Sequence, residues 1–107
     1  MKSIASAVAI AGLIIAGSAL AVDMPAVGKT KCGACHAIDK KLIGPSFMDV
    51  SAKYKGDKDA ASKIAANISK GGQFGWKLGN QSMPPRGLGA NDDQIKFMSE
   101  FIAGLAK

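Results

Sequence analysis

Hydrophobic and polar positions divide this chain into an apolar leader and four short amphipathic stretches joined by polar, glycine-rich turns. The leader has a charged start at Lys2, an apolar centre from Val8 to Ala16 and the small-x-small end Ala19-Leu20-Ala21, which predicts an export signal cleaved after Ala21. Its apolar run is near the lower limit for a spanning helix, and the cleavage pattern favours removal over retention as an anchor. Residues 1–21 are therefore set apart, and residues 22–107 form the folding unit. There, Asp23 as an acidic cap and Pro25 in the first turn predict a helix through Ala26 and Val27 toward Cys35. Ser46 caps a second, with Phe47, Val50 and Tyr54 on one face and an end near Gly56. Ile43-Gly44-Pro45 before it is a turn. A third runs from Asp57 or Asp59 to Lys70, with Ala61, Ile64, Ala65 and Ile68 aligned and Gly71-Gly72 as its stop. Asn91 caps a fourth, with Asp92 and Asp93 in its first turn, Gln94 at the capping-box position and a stripe of Ile95, Met98, Phe101, Ile102 and Leu105.

Nothing in the chain reads as strand, so the expected fold class is all-α: about four short helices and a long loop, Gly71 to Ala90, rich in glycine and carrying Pro84-Pro85. A folding unit of this size has a modest core and commonly needs a staple or a cofactor. The formal net charge is +6, and loss of Lys2 with the leader lowers it to +5, so the folded unit stays basic. A basic surface steers encounters with acidic partners. Nucleic acid is disfavoured, because the lysines are dispersed, aromatics amount to one Trp, one Tyr and four Phe, and no recognition motif is present.

The most specific chemistry is Cys32-Gly33-Ala34-Cys35-His36. C-x-x-C-H is the spacing that attaches a c-type haem, with two thiols to bond the porphyrin vinyl groups and an imidazole placed as axial ligand to the iron. A dithiol redox pair would want a surrounding βαβ pattern. A zinc site would lack a fourth ligand, since no other Cys or His exists in the chain. A structural disulfide would close only a two-residue loop and leave His36 without a role.

The sixth iron position decides between electron transfer and ligand binding. Bis-His ligation would require a second molecule. Met24, Met48, Met83 and Met98 are the candidates in the folded unit, with lysines as weaker ones. Met98 lies on the buried stripe of the last helix, where methionine is ordinarily core filler. Met24 is too near the haem motif in sequence to cross the porphyrin, and Met48 falls on the His36 side. Met83 precedes two prolines, which restrict the backbone and present its thioether from a fixed extended conformation. Met83 is therefore the expected ligand.

The order Cys32-x-x-Cys35-His36, Gly44-Pro45, Trp76, Met83-Pro84-Pro85 and a final helix resembles the short bacterial class I cytochromes c, over essentially the whole folded unit. That resemblance implies a small helical fold around one low-spin haem c, with His36 and Met83 as axial ligands and Cys32 and Cys35 as tethers. It implies that Pro45 offers its carbonyl to His36, that Trp76 donates its indole N–H toward a haem propionate, and that Phe101 fills the crossing of the last helix over the first. The function implied is single-electron shuttling in the periplasm between respiratory redox proteins, by a monomer without membrane anchor docking transiently on acidic partners, not enzymatic catalysis. A haem-based ligand binder or small peroxidase, with the sixth position open, is the alternative, as is a subunit of a larger oxidoreductase. Lys29, Lys31, Lys77 and Arg86 are the basic residues expected to ring the haem edge. Two departures from the family pattern stand out. Small Ala26 and Val27 occupy the first-helix contact, and Arg86 places a cation near the Met83 side, which would raise the reduction potential.

Overall fold

A computed structural model describes residues 22–106 of the chain, so the predicted leader and its cleavage site lie outside the described residues. Four helices follow in order: α1 Ala26–Lys31, α2 Phe47–Lys53, α3 Ala60–Lys70 and α4 Asp92–Gly104. The described residues contain no named strand, only isolated bridges between His36 and Lys41 and between Gly72 and Met83.

Three of the helix boundaries follow local chemistry. Ser46 Oγ accepts the Asp49 amide at 3.0 Å and starts α2. At α4 the Asn91 side chain accepts the Gln94 amide at 2.8 Å while Gln94 accepts the Asn91 amide at 2.9 Å, a complete capping box. Gly71, with φ of +73°, ends α3 as only glycine does without strain. The first helix differs from expectation. Pro25 occupies the N-cap, no side chain caps the helix, and Asp23 stays exposed outside it. The α-helix stops at Lys31, where Cys32 leaves helical geometry (φ −128°), and the chain continues in turns to His36.

The core is small. Phe47, Ile64, Met98 and Ile102 form its buried cluster, with Val27, Val50, Tyr54, Ile68, Phe101 and Leu105 partly buried around it. Among the described helices, α1, α2 and α3 each pack against α4, where Phe47 of α2 and Ile64 of α3 meet Met98 and Ile102 in the buried cluster. At the α1 crossing the buried residue is Gly28, not Ala26, which is exposed. A Cβ on Gly28 would lie 2.7 Å from Met98 Cε, so glycine there lets the two helices approach closely.

Candidate functional site

Beside α4 an apolar cleft remains, walled by Phe47 and Val50 of α2, Ile64 and Ile68 of α3 and Ile102 of α4. Counted out to the open solvent at its mouth, the empty space within it is about 910 Å³. Cys32, Cys35, His36, Pro45, Trp76 and Met83 all line it.

The turn after α1 brings the motif into the cleft: the Cys35 and His36 amides both donate to the Cys32 carbonyl, at 3.1 and 3.0 Å. Both thiols are free. Burial, and then the neighbouring Cys35, push the Cys32 thiol up. A redox-active pair instead needs a lowered thiol pKa, so the dithiol reading loses support. Among the described residues no group of three or more His, Cys, Asp or Glu is placed to hold a metal ion, which weighs against zinc as well.

His36 is held by three neighbours. Its Nδ1 lies 2.7 Å from the Pro45 carbonyl oxygen. A carbonyl only accepts, so Nδ1 carries the proton and donates, which leaves Nε2 with its lone pair free. Phe47 stacks on the ring at a centroid distance of 4.9 Å and an interplanar angle of 20°. Gly44 runs so close that a Cβ there would stand 2.6 Å from His36 Cε1. Burial lowers the imidazole pKa, opposed by the hydrogen bond to Pro45, and favours the neutral form that binds metal.

Met83 stands at the neck of a loop. Its amide donates to the Gly72 carbonyl at 3.0 Å and its carbonyl accepts the Gly72 amide at 2.9 Å. Three residues on, the Arg86 amide donates to the Ile68 carbonyl at 2.7 Å, anchoring the Pro84-Pro85 turn on the end of α3. Of the methionines in the described residues, only Met83 lines the cleft. Met98 is buried in the core, Met24 packs against Gly28, and Met48 is exposed.

None of Lys29, Lys31, Lys77 and Arg86 lines the cleft. Arg86 pairs with Asp92 at 2.8 Å and donates to the Ala90 carbonyl at 3.3 Å. Both members of that pair are exposed to solvent, and Arg86 lines a smaller hollow together with Met83. The cation that approaches the site is Lys53, whose Nζ lies 4.9 Å from the Trp76 ring centroid. Sequence reasoning also passed over Phe47 as a partner of His36, and the hydrogen bond from Asn67 Nδ2 to the Tyr54 hydroxyl at 3.0 Å, both of whose residues line the cleft. A polar Asn67 within the Ile64-Ile68 face of α3 was the available signal.

The donor set fits covalent haem: two free thiols at the attachment spacing, a buried neutral imidazole with an open Nε2, one thioether, and an apolar lining. Comparison with known proteins agrees. Residues 16–106 match the Cytochrome c family. The chain is 37% identical over 92 residues to cytochrome c-551 of Pseudomonas aeruginosa, covering 85% of each chain. It is 44% identical over 75 residues to cytochrome c-551 of Azotobacter vinelandii, covering 69% of this chain and 87% of that one. The crystal structure of Nitrosomonas europaea cytochrome c552 superposes with a TM-score of 0.65 at 34% identity, over 74% of this chain and 95% of the other. A family match across most of the chain, relatives above 30% identity over most of its length and a shared helical fold lead to one conclusion: this chain belongs to the cytochrome c family, whose members bind haem c covalently and carry electrons rather than catalyse.

Proposed function

We propose that this protein is a periplasmic carrier of single electrons between respiratory redox proteins, with His36 and Met83 as the axial ligands of a haem c tethered through Cys32 and Cys35. The observation that carries the proposal is the cleft lining, in which His36 meets a single methionine, Met83. When bound, haem c supplies a one-electron Fe(II)/Fe(III) couple. The chain's own groups account for the rest. The Pro45 carbonyl fixes the His36 ring and raises its basicity. The paired hydrogen bonds between Gly72 and Met83 hold the thioether's backbone in place, so both ligands stay put in either oxidation state and little reorganisation accompanies transfer. A soft thioether and an apolar lining each favour the less charged ferrous state and raise the reduction potential. Trp76, at the cleft wall, offers its indole N–H to a propionate.

Partner docking follows from the surface. Leu42 and Ile43 are exposed beside the cleft, 41% and 51% respectively, and Ile43 lines its edge. With Lys40 and Lys41 adjacent in the chain, this corner suits brief contact with an acidic partner by a monomer. Export rests on the leader, and no described helix is long and apolar enough to cross a membrane. Met83→Ala tests the ligand assignment. The variant should retain covalent haem under denaturing mass spectrometry, and its ferrous form should bind carbon monoxide. An unchanged sixth ligand would refute the role of Met83.

A further inference from the structure

We infer that Lys53 is a positioning residue that latches the loop of residues 73–82 over the cleft and thereby holds Trp76 in place. The loop is a closed unit. Gly72 and Met83 pair at its neck, and the hydrogen bonds of residues 73–82 otherwise run inside it: Trp76 N–H to Gln73 O, Leu78 N–H to Trp76 O, Gln81 N–H to Leu78 O, and Gln73 Nε2 to the carbonyls of Gly79 and Gln81. Among the described residues one hydrogen bond ties this unit to the body of the protein, from Lys53 Nζ to the Phe74 carbonyl at 3.2 Å. The same ammonium stands over the Trp76 ring at 4.9 Å, a cation–π contact.

Three further observations give the latch a purpose. Lys53 belongs to none of the ion pairs among the described residues, so its charge is committed to the loop. Phe74 has a φ of +58°, a conformation a bulky residue keeps only where its surroundings hold it. Its carbonyl is the acceptor that Lys53 uses. Gln73, Phe74 and Trp76 also line the cleft, beside Tyr54, the residue that follows Lys53. Releasing Lys53 would free this wall as a unit, admit water and remove a cation from the rim. Both changes favour the ferric state.

The inference rests on the proposed orientation of Trp76 toward the haem. Its test compares wild type, Lys53→Gln and Lys53→Arg as reduced holoprotein, reading solvent exchange of the Trp76 indole N–H by nuclear magnetic resonance together with the midpoint potential. Lys53→Gln should speed indole exchange about tenfold, as expected for losing one cation–π contact and replacing a charge-assisted hydrogen bond with a neutral one from a shorter side chain, and should lower the midpoint potential. Lys53→Arg, which keeps the cation and the donor, should retain both wild-type values. Protected exchange and an unchanged potential in Lys53→Gln would overturn the latch while leaving the Trp76 orientation intact. Free exchange already in the wild type would overturn that orientation and the latch with it.

Discussion

At the scale of single residues, the surroundings of His36 suit the ligand role proposed for it. Burial keeps the imidazole neutral, Pro45 takes the Nδ1 proton, and Phe47 and Gly44 bracket the ring. Gly44 matters because it has no side chain. Gly44→Ala would set a Cβ 2.6 Å from His36 Cε1, with backbone on one side and a constrained ring on the other. An overpacking cost of about 1–3 kcal/mol is expected, seen as a lower melting temperature of the holoprotein and a partial loss of the low-spin spectrum. The attachment motif was legible in the sequence because five consecutive residues carry it. That Met83, rather than another methionine of the described residues, lines the cleft was legible because its prolines are adjacent. Phe47, Gly44 and Lys53 were not, since each acts on a residue from another segment, and chain pattern does not report which segments meet. The pairing of Arg86 was hidden for the same reason: its partner Asp92 belongs to the first turn of α4.

At the scale of elements, capping groups fixed α2, α3 and α4 close to their expected limits, because a cap is local chemistry. The start of α3 adds a charge-dependent contact. Asp57 accepts the Asp59 amide at 2.8 Å and pairs with Lys63 at 2.6 Å. The hydrogen bond from Lys63, then the Asp59 amide, hold the Asp57 carboxyl below its usual range, while Asp57 holds the Lys63 amine above its own. A depressed carboxyl stabilises the fold above its unfolded pKa, about 4, and loses that contribution as pH falls through the folded value. A raised amine stabilises below its unfolded pKa, about 10.4, and loses it as pH rises through the folded value. Asp57→Asn should therefore be less stable than wild type at neutral pH in urea titrations, by the small amount typical of an exposed pair. The two should converge in acid below the carboxylate titration and again in strong alkali. The first helix was legible, but its cap and its contact were not, because proline rather than Asp23 occupies the N-cap and because Gly28 is the buried residue where it meets α4.

At the scale of the whole molecule, the arrangement of helices explains why the chain needs its cofactor. Three helices rest on α4 and leave the space between them lined by apolar side chains, so the protein alone supplies only part of a core. Fold class and helix order followed from hydrophobic spacing, but this shared dependence on α4 did not. A haem-free Cys32→Ala/Cys35→Ala variant should accordingly lose its cooperative thermal transition and much of its helical circular dichroism, whereas the holoprotein should unfold in one step. A haem-free variant that melts cooperatively near the wild-type temperature would show that the polypeptide core suffices. The central claim, a His36- and Met83-ligated electron carrier, is met most directly by the visible spectrum of the exported wild-type holoprotein, oxidised and then reduced, with carbon monoxide added last. A low-spin c-type spectrum, a weak far-red band of methionine on ferric iron and no response to carbon monoxide are the results expected. A prompt shift with carbon monoxide would contradict the account and place the protein among haem-based ligand binders instead.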